Sequence, residues 1–262
     1  MRKLLVILVA LLAVGAGFGW YLESSRAPAA LKIATEGAYP PFNFIDKDGH
    51  PAGFDVDIAK ALCVVMKTRC EIVIQNWDGI IPGLQAGEYD AIISSLSITP
   101  QRSQQIAFTD PYYDTPTRFV APKGSHIEVS VAGLAGKRVG VQRGTVQEKL
   151  LRSKFYQAVP VLYDSSEGPL QDLVAGNIDV VVGDAVALAQ SFLDTDRGKD
   201  FEFIGPAFTD PEILGIGAGI AVRKDESQLL ENFNKALRQI RADGTFKQIN
   251  DKYFDFDISA QP

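Results

Sequence analysis

The sequence predicts an α/β protein of two lobes, each a mainly parallel sheet covered by helices. Three observations carry that prediction. From Leu31 onward, short β-like runs alternate with segments of helical periodicity, and such alternation builds parallel sheets flanked by helices. The chain beyond residue 30 has about 232 residues, which suits one large domain or two modest ones. The βα pattern restarts after Pro111-Tyr112-Tyr113-Asp114, with no polar linker to mark a boundary. The expected layout is a first lobe over 30–113, a second over 114–213 with an extended crossing at each end, and a return to the first over 214–262. No short-period repeat is visible.

Taken in order, residues 1–29 read as an export segment. Met1-Arg2-Lys3 is a short basic start, residues 4–14 are strongly apolar, and Ala27-Pro28-Ala29 has the small-x-small form of a cleavage site. The uncharged stretch continues to Leu22, long enough to span a bilayer, so a cleaved signal and an uncleaved anchor both stand. Strands are expected at 31–35, 70–75, 91–94, 119–121, 138–141, 159–163, 178–182, 201–204 and 216–222. Ile58, Ala61, Leu62 and Val65 fall on one face of a helix over 55–66. Leu229, Phe233, Leu237 and Ile240 do the same before Gly244, a C-terminal cap. Cys63 and Cys70 are close enough for a local disulfide, which an oxidising compartment would permit; two buried thiols are the alternative, and CxxC redox chemistry is excluded by the spacing.

Composition removes whole classes of function. At 46% hydrophobic and 22% charged, the chain has the makings of a sizeable core rather than a disordered tail. Outside residues 1–30 it holds 23 basic against 31 acidic residues, which argues against nucleic acid and anionic membrane surfaces as partners. Membrane contact is expected only through residues 4–22, if they are retained. The histidines, His50 and His126, lie far apart with no Cys or carboxylate spacing around them, so neither a metal site nor a Ser-His-Asp or Cys-His hydrolase is expected. Gly215-Ile216-Gly217-Ala218-Gly219 leads into a strand rather than out of one, Gly133–Arg138 lacks P-loop spacing, and no GxSxG is present. No cofactor is expected.

The chemistry gathers where strands end. Ser94, Ser95 and Ser97 leave an apolar strand; Thr99 then caps a helix with Pro100 at its first position. Arg102 falls in the first turn of that helix, where a cation opposes the dipole. It is either a side chain on a solvated face or a planar fork held for a carboxylate. Thr145-Val146-Gln147-Glu148 is a capping box; it starts a helix, and the same amide groups and dipole favour an anion. Asp184 ends an apolar strand, where ligands of parallel sheets bind; it pairs with an ammonium or caps the helix that follows. Glu36, Tyr39 and Trp77 also follow strands, and each has a plain alternative in core, turn or hydrophobic staple, the last with Asp78 as cap. Together they supply an Arg for a carboxylate, an Asp for an ammonium, aromatics for an alkyl chain and a Glu for a distal cation. That inventory matches an amino acid, particularly a basic one.

Residues 31–256 resemble the periplasmic amino-acid-binding proteins of ABC importers, the extracellular solute-binding family 3, and within it the lysine/arginine/ornithine, histidine and arginine binders. The resemblance rests on the run Ala34 to Phe42, Gly53-Phe54-Asp55-Val56-Asp57, Ser94 to Arg102, Ile106 to Asp110, Gly140 to Glu148, Ala242-Asp243-Gly244-Thr245 and Lys252-Tyr253-Phe254. It implies the type II periplasmic-binding-protein fold, two α/β lobes closing on a ligand like a hinged trap. It also implies a ligand carboxylate on Arg102, Ser95, Ser97 and the Thr145/Val146 turn, and an ammonium on Asp184 and oxygens of the serine segment. Tyr39 and Trp77 would sandwich the side chain, Glu36 would face its far end, and Cys63 would pair with Cys70.

Three positions bear on specificity. Relatives tend to carry Thr or Ser at Val146, so the contact there is backbone only. Gln142, which is Leu in histidine-type binders and Gln in arginine-type ones, accepts from a guanidinium as Leu could not. Glu36 in place of the commoner Asp reaches one methylene further, favouring a shorter or differently angled cation. The expected protein is an exported, monomeric receptor that hands a basic L-amino acid to an inner-membrane ABC permease. Arginine is expected first, then ornithine, lysine and histidine, then an opine-like arginine conjugate or glutamine, since the resemblance includes a glutamine binder with an acid at the Glu36 position. The alternatives are a membrane-anchored sensor ectodomain and a cyclohexadienyl-type dehydratase on the same fold.

Overall fold

Two five-stranded sheets carry the fold of the computed structural model, which describes residues 30–260. The expected export segment, 1–29, lies outside the described residues. The first sheet contains β1 (Leu31–Thr35), β5 (Cys70–Ile74), β6 (Ala91–Ile92), β7 (Ala107–Phe108) and β13 (Ala221–Val222), in the order β5-β1-β6-β13-β7. The second contains β8 (Thr117–Pro122), β9 (Arg138–Gln142), β10 (Val159–Tyr163), β11 (Val180–Asp184) and β12 (Phe201–Phe208), in the order β10-β9-β11-β8-β12. A small antiparallel sheet of β2 (Ala38–Tyr39), β3 (Asn43–Ile45) and β4 (Pro51–Ala52) flanks the first.

Each large sheet is parallel except for one reversed strand, β13 in the first and β8 in the second. Both reversed strands receive the chain as it arrives from the other lobe. A crossing enters at the carboxyl ends of the parallel strands, so the strand it feeds must run against them. The architecture is thus the two-lobe α/β fold that the alternation predicts.

Local chemistry explains the helices that frame the cleft. α1 (Phe54–Val65) buries Phe54, Ile58, Ala59 and Leu62, and its last turn carries Cys63, which is bonded to Cys70 at the start of β5. α2 (Trp77–Ala86) starts two residues earlier than expected: Asn76 precedes it without a side-chain cap, and Asp78 lies inside its first turn rather than capping it. α3 (Pro100–Ser103) is capped by Thr99 as expected. α4 (Val146–Lys154) and α5 (Glu167–Val174) cover the second sheet, and the short α6 (Ala185–Leu188) leaves the end of β11. After α7 (Pro211–Leu214), α8 (Ser227–Ala242) and α9 (Thr245–Tyr253) pack back on α1 around Phe233, Leu237, Ile240 and Phe246, with left-handed Gly244 (φ 83°) between them. The second lobe has its own cores, around Phe119, Val141 and Leu150 on one face and Val120, Leu170 and Phe192 on the other.

One expected strand contracts. Of 216–222 only Ala221–Val222 is strand, because the preceding glycines thread between two backbones. A Cβ on Gly215 (φ 90°) would lie 2.3 Å from the Ile98 carbonyl oxygen, and one on Gly217 (φ 105°) 2.7 Å from that of Tyr113. The strand expected at 91–94 likewise ends at Ile92, releasing Ser94 and Ser95 from the ladder. Among the described residues, no helix is long and apolar enough to cross a membrane, and no three His, Cys, Asp or Glu side chains are grouped to hold a metal.

Candidate functional site

The carboxyl ends of the parallel strands in both sheets converge on one cavity, and all twelve residues singled out in the sequence line it. The first lobe supplies Glu36 and Tyr39 after β1, Trp77 after β5, the serines after β6, and Arg102. The second supplies Gln142 at the end of β9, then Thr145, Val146 and Gln147, and Asp184 at the end of β11.

Arg102 is buried, at 8% exposure. Its Nη1 donates to the Ser97 carbonyl at 3.0 Å, its Nη2 to the Gly144 carbonyl of the other lobe at 3.3 Å, and its guanidinium lies 5.4 Å from the Trp77 ring centroid. The solvated reading of Arg102 therefore falls. Among the described residues no carboxylate comes within salt-bridge range of it. Burial alone pulls it down to about 10. A desolvated cation held by neutral carbonyls is the partner an incoming carboxylate needs.

Asp184 fulfils the capping reading and still faces the cavity. Its Oδ1 accepts the Val186 and Ala187 amides at 2.9 Å each, and its Oδ2 accepts the Thr115 hydroxyl. Burial pushes it up to about 6 against those hydrogen bonds.

Glu36 is 7% exposed. Its amide donates to the Ser94 hydroxyl at 2.9 Å, so Ser94 orients the acid, while its Oε1 accepts from Gln142 Nε2 across the cleft at 2.6 Å. Burial pushes Glu36 up to about 7; Gln142 opposes this and Asp78 adds to it. Tyr39 stacks on Phe42 at 5.9 Å, its hydroxyl held above its ordinary value by burial and by the Asp184 and Glu36 carboxylates.

The capping box is rearranged in a useful way. Thr145 Oγ1 accepts the Glu148 amide at 3.3 Å, as expected, but Glu148 Oε2 accepts the Gly144 amide at 2.8 Å instead of that of Thr145. The Thr145 amide beside buried Val146 is not consumed by Glu148, at a helix start that favours an anion. Gln147 lines the cavity with its Nε2 donating to Thr117 at 3.3 Å.

Several lining residues were not singled out in advance. Tyr113 and Thr115 belong to the crossing and Ser166 to the turn after β10, where its hydroxyl donates to the Ala38 carbonyl of the first lobe at 3.0 Å. The strand-end rule that identified Glu36 and Asp184 would also have marked Ser166. The cavity lining holds three acids (Glu36, Asp184 and, exposed at its rim, Asp114) against the single base Arg102.

The model of the bacterial extracellular solute-binding proteins, family 3, matches residues 31–256. The chain belongs to that family. Among its relatives, the L-arginine-binding protein of Pseudomonas aeruginosa is 45% identical over 239 residues, covering 90% of this chain and 92% of that protein. The histidine-binding periplasmic protein of Salmonella typhimurium is 40% identical over 260 residues, covering 98% of this chain and 99% of that protein. A solved Salmonella typhimurium periplasmic binding protein, described for its high arginine specificity, superposes with a TM-score of 0.80 at 35% identity. That match covers 86% of this chain and 99% of that one. The strand-end cleft lies between the two lobes of a family 3 solute-binding fold, and the two reversed strands mark where the chain passes between the lobes.

Proposed function

We propose that this family 3 protein captures a basic L-amino acid, arginine first and ornithine, lysine and histidine next, and delivers it to an ABC permease of the inner membrane. The observation that carries this reading is the charge balance of the cavity: two buried carboxylates at separate strand ends and one buried guanidinium from a short helix. A basic amino acid carries one carboxylate and two cations, so it neutralises all three, whereas a neutral zwitterion leaves Glu36 without a charged partner. Arg102 takes the carboxylate with the Thr145/Val146 amides and Ser97; Asp184 takes the ammonium with Ser95. Trp77 and Tyr39 enclose the methylenes. Glu36 and Gln142, already 2.6 Å apart, take the distal cation. The names of the arginine- and histidine-binding relatives support the same class.

The protein acts by binding, without chemical conversion, as an exported periplasmic monomer. Its lobes divide at 30–113, 114–213 and 214–262. A cleft acid near neutrality would also suit a dehydratase, and an absorbance scan after incubation with prephenate or arogenate tests for that activity.

The direct test is a thermal-shift screen of the twenty amino acids plus ornithine, citrulline and opines. A ligand at about 100 times its Kd adds about 2.7 kcal/mol, which raises the midpoint of a domain this size by roughly 5–10 °C. The reading fails if only acidic or aliphatic amino acids shift it.

A further inference from the structure

Four charged side chains are buried among the described residues: Glu36, Asp55, Arg102 and Asp184. Three line the cavity, and Asp55, at 0% exposure, does not. It belongs to the Gly53-Phe54-Asp55 motif, to which the ligand assignment gives no role.

Asp55 receives three side-chain donors from three different cleft elements. Its Oδ2 accepts the Ser95 hydroxyl and Asn43 Nδ2, each at 2.9 Å; its Oδ1 accepts the Tyr112 hydroxyl at 2.6 Å. The orientation of the Asn43 amide is settled by its other end, because its Oδ1 accepts the Gly37 amide at 2.9 Å, one residue after Glu36. Asn43 therefore presents only hydrogens to Asp55. Ser95 has φ 51°, a left-handed backbone that L-residues adopt rarely, and it lies where the chain turns out of β6 into the cavity wall. Tyr112 opens the first crossing, next to cavity-lining Tyr113. One carboxylate thus joins the turn after Glu36, the serine segment and the crossing.

We propose that Asp55 is a positioning residue for ligand binding: its carboxylate holds Ser95 in its left-handed turn and locks that turn to the crossing through Tyr112. Removing it leaves buried donors without an acceptor and frees the serine segment to relax out of the geometry that meets the ligand. Burial pushes the Asp55 carboxyl up to about 6 and its three donors pull it back, consistent with an ionised acceptor at neutral pH.

The inference rests on arginine as ligand, so wild type is titrated with arginine first. If wild type fails to bind it, the ligand assignment has failed and the amino acid giving the largest thermal shift replaces arginine in every arm. Asp55→Asn is the main variant. Asparagine has one acceptor oxygen for donors that now use two, so either Tyr112 or the Ser95–Asn43 pair loses its partner. The expected result is a native circular dichroism spectrum with arginine affinity by calorimetry lowered about tenfold or more. The loss should be non-additive with Ser95→Ala or Tyr112→Phe. Unchanged affinity, or additivity in both double-mutant cycles, overturns the assignment. Should Asp55→Asn not fold, Tyr112→Phe carries the test, since it removes one donor, leaves the carboxylate in place and lies outside the cavity lining. Weakened arginine binding supports the role, and unchanged affinity overturns it.

Discussion

Glu36→Gln isolates the charge on which the choice of a basic ligand depends. The amide keeps the shape of the acid and an oxygen for Gln142 Nε2, so the 2.6 Å hydrogen bond across the cleft survives. What disappears is the titration. Burial carries the Glu36 carboxyl from 4.5 to about 7, which corresponds to about 3 kcal/mol favouring the protonated form in the folded protein. A raised pKa gives stability that is complete below the unfolded value, 4.5, and is lost as the pH rises through about 7. Wild type and Glu36→Gln should therefore melt alike near pH 4.5. At pH 8 the variant should be more stable, by up to about 3 kcal/mol or roughly 6–12 °C.

Binding should show the opposite sign. Arginine needs the ionised acid, so its affinity for wild type should fall as the pH drops below about 7, approaching tenfold per unit, with proton release in calorimetry. Glutamine needs no such ionisation. Asp184 and Asp55, both raised to about 6, act on the two ligands alike, so the ratio of arginine to glutamine affinity reports Glu36. In Glu36→Gln that ratio should be flat from pH 5 to 8, and arginine should bind roughly ten- to hundredfold more weakly than to wild type at pH 8. A flat ratio in wild type, or an unchanged slope in the variant, would refute the assignment of Glu36 to the distal cation.

Other expectations follow from the same contacts. Arg102→Ala and Asp184→Ala should each leave a ligand charge unpaired, costing about 3–5 kcal/mol, or about a hundredfold or more in affinity. Calorimetry showing near-wild-type binding by both would end those assignments. The two should differ in stability: Asp184→Ala also loses the cap of α6 and should melt lower by about 0.5–2 kcal/mol, whereas Arg102→Ala removes a buried cation that has no carboxylate partner and should not. Converting both Cys63 and Cys70 to Ala opens a loop with a sequence separation of 7. That should cost about 2.5 kcal/mol, read as a midpoint lower by roughly 5–10 °C. Arginine affinity should be unchanged, because the bond sits at the start of β5 and the site at its other end. A changed Kd would show that the disulfide shapes the cleft.

What could be read from sequence divides along a physical line. Glu36, the serines and Asp184 were legible because an apolar β-run shows where a parallel strand ends, and ligands gather at those ends; Gln142 was marked only by the family resemblance. Thr99 and Thr145 were legible because capping is a matter of three or four residues. Asp55 was not, because its partners Ser95 and Tyr112 lie 40 and 57 residues away and no local pattern announces them. The reach of Ser166 to Ala38 spans 128 residues and was equally hidden. The strand expected at 216–222 failed for a related reason: the run carries no charged or polar side chain, but the space between the Ile98 and Tyr113 backbones decided its path. Arg102 was visible as an oddity, a cation in a first turn, and only burial resolved its two readings.

Two of the three buried acids are bonded to the same crossing, Asp55 through Tyr112 and Asp184 through Thr115. A rotation of one lobe against the other works through the crossings, so it acts directly on the groups that hold these carboxylates. Asp184 already accepts two amides on one oxygen and a hydroxyl on the other, and a carboxylate offers about four lone-pair sites. One site remains for an ammonium, and the other three bonds have already fixed the direction in which it points. Arg102 is set in the same way by two carbonyls, one from each lobe. Because these charges are oriented before a ligand arrives, its binding energy is not spent on ordering them, and their pairing is best satisfied where the two lobes meet. On the proposed assignment of Arg102 and Asp184, ligand capture and the closed arrangement of the lobes are stabilised by the same bonds.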